Sequence, residues 1–326
     1  MYYALSVLVA AFAAHESVGL LCFLGIISAW CSYRGFQKIH VVAVIAVGLL
    51  TFSYFSWQLT KQQQPFTLPV TMMFSVMYRT KGSTLRGLMK DDEGRVVYIV
   101  YTFQSEQEKN AYEQTPLARN MFYVEGVIEA PSEPAHKYHF YMGDYLKSKG
   151  AIGILNVTQL RHIGREDSIL QRIYEQRFLL SEHIHKVFPS SLAAEAEALI
   201  IGIQDQVDAD ITRAYQKLGI THLFAISGLH VALISWMFFQ GLLRLRVRRE
   251  FATIVLIVIL PIYALLAGGA PSVWRAVSVV EFVMLARYFN WRIPIDDALA
   301  ISFIVFVLLQ PGAVYQVGFQ LSYLAT

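Results

Sequence analysis

Residues 41–57 read VVAVIAVGLLTFSYFSW, a run without a single charged side chain. A helix needs about 20 apolar residues to cross a bilayer, or about 17 at the low end. Two further apolar stretches, residues 1–14 and 17–32, precede this run and are separated by His15 and Glu16. We therefore expect residues 1–58 to form two or three transmembrane helices, the first two stretches being either separate short helices or one long helix with a polar notch.

The composition of the chain points to a mixture of membrane and water-facing parts. Apolar residues make up 55% and charged residues 16% of its 326 residues, against roughly 45–50% and about 25% in soluble domains. The mean hydropathy of +0.43 is too low for a chain made only of membrane helices. The net charge of +3 does not mark a nucleic-acid binder, because phosphate recognition needs clustered Lys and Arg. Cys22 and Cys31 lie in an apolar stretch and suit neither a zinc site nor a disulfide framework.

Residues 59–190 hold more than half of the charged side chains and form the predicted water-facing segment. Three runs in it are rich in strand-forming residues, with turn residues between them. The runs cover residues 70–79, 95–103 and 121–130, and the turns fall at residues 91–94 and at Asn110. A helix over 140–149 that ends at Gly150 and a strand over 151–157 follow. These patterns predict a small β-barrel or sheet over residues 59–165.

The rest of the chain is predicted to return to the membrane. Residues 166–190 have the mixed charge and apolar spacing of an amphipathic helix that lies on the membrane or on the barrel. Beyond them, five apolar runs predict five more membrane segments, at residues 223–243, 251–268, 272–289, 295–310 and 313–326. The run over 313–326 stops without a cap, a turn or a charged flank, so we expect the chain to be a fragment of a longer membrane protein.

Basic residues in the loops predict an orientation. Most Lys and Arg residues outside the water-facing segment lie in three loops: Arg34 and Lys38; Arg244, Arg246, Arg248 and Arg249; and Arg287 and Arg292. An excess of Lys and Arg marks cytoplasmic loops. With a cytoplasmic N-terminus, residues 59–190 and the turns at 268–271 and 310–312 fall outside the cytoplasm. The predicted fold class is a polytopic α-helical membrane protein with an inserted extracytoplasmic β-barrel.

The densest polar cluster at a predicted membrane boundary is GITHLFAISGLH, residues 219–230. Polar groups there are costly unless they face a cavity or find partners. Ser227 and His230 share a helix face, and Gly228 lets another backbone approach. One hypothesis is that Ser227 caps a helix while His222 and His230 sit at the interface. Others are a polar substrate path, or an intramembrane hydrolase with Ser227 as the nucleophile and His230 as the base, although neither a glycine-flanked nucleophile elbow nor a third, orienting acid is evident.

Arginine and aromatic residues supply further candidates. Arg275 lies one turn into the run over 272–289, where it either reaches the outer headgroups or contacts phosphate on a path, since a guanidinium matches phosphate in two-point fashion. Asp205, Asp208 and Asp210 have no His or Cys at ligand spacing, so no metal site is predicted. Several aromatics of the water-facing segment either form its core or stack on bases. They are Tyr98, Tyr101, Phe103, Phe122 and Tyr123.

The run over 219–230 resembles the ComEC-type family of bacterial competence proteins. The family pattern Gly-x-x-His-Leu-x-Ala-Ile-Ser-Gly-Leu-His is filled at every fixed position, by Gly219, His222, Leu223, Ala225, Ile226, Ser227, Gly228, Leu229 and His230. Other positions that resemble the family are Gly202, Tyr215, Pro271, Arg275-Ala276, Pro311 and Gly318-Phe319-Gln320-Leu321-Ser322, and, more loosely, Phe140, Asp144, Tyr145-Leu146 and Gly150-Ala151-Ile152.

The resemblance implies a function and a domain organisation. Residues 1–58 would be the N-terminal helices, 59–165 an OB-fold-type domain, 166–190 the interfacial helix, and 191–326 the first part of a channel domain. The implied function is transport of transforming single-stranded DNA across the cytoplasmic membrane, with a DNA receptor and a cytoplasmic helicase as partners besides membrane lipids. The implied DNA path passes Ser227, Gly228, His230, His222, Arg275, Arg244 and Arg246, with weaker outer contacts at Tyr98, Tyr101, Phe103 and Tyr123.

Two alternatives remain beside transport: the Ser/His hydrolase, and a non-conducting scaffold of the uptake machinery. Relatives of this family often carry a metallo-β-lactamase-like domain, but this sequence has no His-x-His-x-Asp-His motif. No nuclease activity, metal or cofactor is therefore predicted for the chain.

Overall fold

A computed structural model describes residues 1–62, 67–134, 136, 141–204, 207, 209–219 and 226–325. Phe140, Asp205, Asp208 and His222 lie outside these residues. The chain forms two compact units. Unit 1 contains Met1–Phe66, Pro131–Ile152 and Leu285–Thr326, and unit 2 contains Thr67–Ala130 and Gly153–Met284.

Helices account for most of the described chain. They are α1 (Tyr2–His15), α2 (Cys22–Tyr33), α3 (Lys38–Gln62), α4 (Glu106–Glu113), α5 (Met142–Lys149), α6 (Ile169–Val187), α7 (Ala193–Ile201), α8 (Ala209–Lys217), α9 (Gly228–Arg244), α10 (Arg249–Leu266), α11 (Pro271–Tyr288), α12 (Ile295–Leu309) and α13 (Val317–Leu324). Short 3₁₀ helices cover Val18–Leu21 and Pro311–Tyr315. The first two apolar stretches are therefore separate helices, and the run over 313–326 is divided between a 3₁₀ turn and α13.

Among the residues that the structure describes, two helices are long and apolar enough to cross a membrane, over Lys38–Lys61 and Arg249–Leu266. Shorter apolar helices cover Tyr2–His15 and Val18–Tyr33. In unit 1 the buried core joins α1, α3, α12 and the residues that follow α12. Ala10 and Ala11 of α1 are fully buried there beside Phe55 of α3, and small residues of this kind let helix backbones approach closely.

The five strands of unit 2 form a closed barrel in the order β1–β2–β3–β5–β4. They are β1 (Val70–Lys81), β2 (Thr84–Asp91), β3 (Val96–Thr102), β4 (Asn120–Glu129) and β5 (Ala151–Arg165). Alternate residues of β3 face the core, with Val97, Ile99 and Tyr101 buried, as the period of two in a strand requires. The predicted small barrel is confirmed.

Details of the barrel segment differ from the sequence predictions. The strand β2 was not predicted, and β5 extends to Arg165 rather than ending near residue 157. The predicted turn at Asn110 is wrong, because Asn110 lies inside α4. Ser105 caps that helix by accepting the backbone N–H of Glu108 at 3.1 Å, so a short charged helix replaces the turn.

The helix α6 is amphipathic and packs within unit 2 against α7 and α10. It also reaches the barrel, because Glu175 of α6 accepts a hydrogen bond from Arg119 Nη1 at 2.8 Å. Arg119 pairs as well with Asp167, just before α6. These contacts attach the barrel to the helices that carry the candidate site.

Candidate functional site

Ser227 and His230 meet at the start of α9. Ser227 is the N-cap residue, with extended backbone angles, and its backbone N–H donates to His230 Nδ1 at 3.2 Å. Ser227 Oγ lies 2.8 Å from the same nitrogen. Because a backbone N–H can only donate, Nδ1 is an acceptor, and in the neutral ring the proton is on Nε2. The pair therefore holds the first turn of α9 as a capping box does.

Arg275 lies beside this turn. Ser272, in the first turn of α11, donates through Oγ to the carbonyl oxygen of Ile226 at 3.2 Å. A Cβ atom placed on Gly228 would lie 3.5 Å from Arg275 Nη2 and 3.5 Å from Ala276 Cβ. The N-termini of α9 and α11 are thus adjacent, and the guanidinium of Arg275 lies at van der Waals distance from where the side chain of a residue at position 228 would begin.

A buried apolar cluster supports the site. It contains Ile226, Val231, Leu256, Leu260, Ala264, Ala267, Val273 and Val277, from α9, α10 and α11. Because close-packed apolar side chains resist rearrangement, this cluster holds the starts of α9 and α11 at a fixed distance from each other. Above the cluster, two helix N-termini with partly positive N–H groups meet one guanidinium, an arrangement that attracts phosphate and other anions.

The structure brings together four of the predicted path residues: Ser227, Gly228, His230 and Arg275. Arg244 and Arg246 are exposed at the opposite end of α9, roughly 24 Å away at 1.5 Å per residue. They do not join the site. His222 lies outside the described residues.

Two residues that the sequence did not single out hold the helices behind the site. Arg177 of α6 donates through Nη2 to the carbonyl oxygen of Ile201 at 3.2 Å, and the same atom lies 2.8 Å from where a Cβ of Gly268 would be. Arg177 thus contacts the C-terminal ends of α7 and α10, where cations are favoured. It was missed because α6 was interpreted from its apolar positions alone.

The second such residue is Glu197 of α7, which is fully buried. Its carboxylate accepts a hydrogen bond from Ser181 Oγ and lies 3.2 Å from His185 Nε2. Both partners lie on α6, so this carboxylate joins α6 to α7. A buried carboxylate needs such partners, because an unpaired one is very costly.

The aromatic residues of the barrel segment fall into two groups, those that are buried and those that are partly exposed. Tyr101 and Phe103 are only 4% and 8% exposed, and Tyr101 donates its hydroxyl to Glu108 Oε1 at 2.6 Å. Burial, aided by this bond, raises the pKa of Tyr101. Phe122 is buried as well, whereas Tyr98 and Tyr123 are partly exposed. A buried ring has no free face on which a base could stack. Of these five aromatic residues, only Tyr98 and Tyr123 therefore stay candidates for contact with DNA bases.

Within the part of the chain that the structure describes, no group of three or more His, Cys, Asp or Glu residues could hold a metal ion. Asp210 pairs with Arg213 at 3.4 Å in α8.

Fold and site together define an α-helical protein with a closed five-stranded barrel, two helices able to cross a membrane, and a polar site at two adjacent helix starts. Residues 199–326 match the family described as Competence protein. ComE operon protein 3 of Bacillus subtilis (strain 168) is 29% identical over 244 residues, an alignment that covers 72% of this chain and 31% of that protein. Both matches point to the same likeness, that of the chain to ComEC-type competence proteins.

The chain spans about a third of the length of this curated relative. The matched family region, residues 199–326, contains all four residues that converge at the site. No solved structure matches the chain.

Proposed function

We propose that the chain forms part of a path by which single-stranded DNA crosses the bacterial cytoplasmic membrane during natural competence. The observation that carries the proposal is the convergence of Ser227, Gly228, His230 and Arg275 at the starts of α9 and α11. It lies inside the region that matches the Competence family, and competence proteins of the ComEC type are membrane proteins.

Contacts in unit 1 support a multi-pass topology. At one end of its helices, Glu16 pairs with Lys147 of α5 at 2.5 Å, and the Lys147 ammonium lies 4.6 Å from the ring centre of Tyr315. At the other end, Tyr3 bonds His40 at 3.2 Å, and Tyr3 shares a cavity with Arg292. The second end carries the basic loops, which marks it as cytoplasmic. The end with α5, and hence residues 59–190, is then extracytoplasmic.

Unit 2 supports the same orientation. The helix α9 runs from Ser227 to Arg244, α10 returns to Gly268, and α11 starts again beside Ser227. Ser227 and Arg275 thus lie at the end opposite the loop with Arg244, Arg246, Arg248 and Arg249. With that loop cytoplasmic, DNA meets Arg275 on the outer side and leaves past Arg244 and Arg246.

The chemistry of the site suits a moving polyanion. One guanidinium and two helix N-termini attract a phosphate, and the hydroxyl of Ser227 adds a hydrogen-bonding group. A path must hold its cargo weakly enough to release it. A single arginine at the entrance meets this need, because one guanidinium holds a phosphate less tightly than several would.

The outer barrel and the partners complete the proposal. Tyr98 and Tyr123 would stack on bases of the incoming strand. The organisation over 1–58, 59–165, 166–190 and 191–326 remains as proposed from the sequence, with a DNA receptor outside and a helicase in the cytoplasm as partners.

The test is uptake of labelled single-stranded DNA by competent cells that carry Arg275→Ala or His230→Ala. Loss of one charge-assisted hydrogen bond lowers transport through the Arg275→Ala protein about tenfold, with membrane abundance unchanged. Arg287→Ala is the matched control, since Arg287 is an exposed arginine at the other end of α11. Normal uptake in both site variants would overturn the path. Passage of DNA into vesicles that contain the purified protein would exclude a scaffold.

One distance favours a second candidate, the intramembrane hydrolase. Ser227 Oγ lies 2.8 Å from His230 Nδ1, within reach for proton transfer. The same nitrogen already accepts the backbone N–H of Ser227, so helix capping accounts for the geometry without catalysis. Labelling by a serine-reactive fluorophosphonate probe that disappears in Ser227→Ala would support the hydrolase; the transport proposal expects none.

A further inference from the structure

We infer that a cavity at the start of α12 binds a glycerophospholipid with an amine-bearing, zwitterionic headgroup. The cavity has a volume of about 290 Å³ and lies wholly in unit 1. Its walls include Arg292, Asp297, Ala300, Ile301 and Ile304. The inference rests on the membrane placement proposed above and is independent of the DNA path.

The polarity of the cavity changes along the helix axis. Ala300 and Ile301 lie three and four residues after Asp297, and Ile304 lies four and three residues after them, so the four residues share one face of α12. Over the roughly 10 Å from Asp297 to Ile304, the wall passes from charged to wholly apolar. A phospholipid has the same order of groups, from charged headgroup to acyl chain.

The charges at the mouth select the headgroup. Arg292 and Asp297 are both exposed, and among the described residues neither forms an ion pair, whereas Arg95, Arg119 and Arg172 do. A guanidinium suits the lipid phosphate, and the Asp297 carboxylate suits an ammonium group beside it. A headgroup that carries both a phosphate and an ammonium group matches this pair of opposite charges.

The loop next to the cavity gives independent support. Tyr288, Phe289 and Trp291 are 45%, 52% and 61% exposed, and their rings pack on one another with centroids 5.1 and 5.0 Å apart. Exposed Trp and Tyr between two apolar helices are typical of the membrane–water interface. They place the mouth of the cavity at headgroup depth, on the side of the basic loops.

The experiment measures phospholipid retained by the purified full chain. The protein in detergent is incubated with an equimolar mixture of phosphatidylethanolamine and phosphatidylglycerol, washed, and analysed by native mass spectrometry. The wild type retains phosphatidylethanolamine in preference. Arg292→Gln retains about tenfold less of both lipids, and Asp297→Asn loses the preference while it still binds phospholipid. Arg287→Gln, an arginine that does not line the cavity, behaves as the wild type.

A second variant removes the cavity without changing its charge. Ala300→Leu fills the space beside Ile301 and lowers retention, whereas the elution profile and helix content stay those of the wild type. Equal retention by all variants, or an equal preference for both lipids in the wild type, would overturn the inference. Neither result bears on DNA uptake, so the failure of this inference and that of the transport proposal can be told apart.

Discussion

Single glycine positions decide how closely the helices near the site approach one another. At Gly228 a Cβ atom would be in ordinary van der Waals contact with Arg275 Nη2, at 3.5 Å. At Gly202 the backbone φ is +73°, and a Cβ atom would lie 2.8 Å from the carbonyl oxygen of Ala267. The end of α7 therefore contacts the end of α10 directly, and Arg177 reaches carbonyl groups there that a larger residue would push away.

Gly202→Ala is expected to destabilise the protein more than Gly219→Ala. Both glycines have positive φ, but among the described residues Gly219 has no neighbouring atom within 4 Å of where its Cβ would be. Gly219→Ala therefore measures the backbone cost alone, roughly 1–2 kcal/mol. Gly202→Ala adds a collision with backbone, about a further 1–3 kcal/mol. Chemical unfolding of the purified variants in detergent measures the difference, and equal losses would contradict the close contact at Ala267.

At the scale of helices and strands, two patterns in the sequence predicted the elements better than its composition did. They are the alternation of apolar and polar residues in strands and the length of the apolar runs in helices. The strand β3 alternates buried and less buried residues, and such a pattern can be found without the fold. The strand β2 contains Arg86, Gly87 and Lys90 and lacks clean alternation, because its burial depends on closure of the barrel. The helix α4 is too polar for the apolar pattern, but Ser105 followed by Glu108 is a capping-box signal that could have found it.

An ion pair between Lys147 and Glu16 helps to hold the helix α5 in unit 1, beside the hydrogen bond that Gln316 Nε2 donates to the carbonyl oxygen of Ser148 at 3.0 Å, and Lys147→Met is expected to loosen α5. The hydrogen bond from Lys147 is the largest cause that lowers the pKa of Glu16. A carboxyl group with a lowered pKa stabilises the fold above its ordinary pKa, and this contribution is lost as the pH falls through the lowered value. Amide hydrogen exchange in α5 should therefore be faster in Lys147→Met than in the wild type at neutral pH, and the difference should become smaller in acid, where only the contact of Lys147 with the Tyr315 ring remains.

Lys149→Met is the matched control for α5. Lys149 lies on the same helix, 6.0 Å from the Tyr145 ring centre, and burial lowers its pKa. Its removal takes away a charge without touching the pair with Glu16. An equal increase of exchange in Lys149→Met, or a difference for Lys147→Met that does not become smaller in acid, would show that the ion pair does not hold α5.

At the scale of the whole molecule, the sequence predicted which residues belong to the candidate site, but it did not predict that they lie next to one another. Residues 226–230 and Arg275 each stand out in the sequence, because polar groups beside apolar runs are unfavourable in a membrane unless they have a partner. Their contact depends on the path of α10, which folds back so that α11 starts beside α9. Arg177 and Glu197 act through tertiary contacts with helix ends and with α6, and no local pattern encodes such contacts.

Cysteine labelling tests the proposed topology. In a chain with Cys22→Ala and Cys31→Ala, single cysteines replace Asp92, in the turn after β2, or Arg248, in the loop before α10. Both positions are exposed, so a membrane-impermeant maleimide reaches either one in permeabilised cells. In intact spheroplasts we expect labelling of Asp92→Cys alone, because the arginine-rich loop lies in the cytoplasm. Labelling of Arg248→Cys in intact spheroplasts would reverse the orientation and place Arg275 at the exit of any DNA path rather than at its entrance.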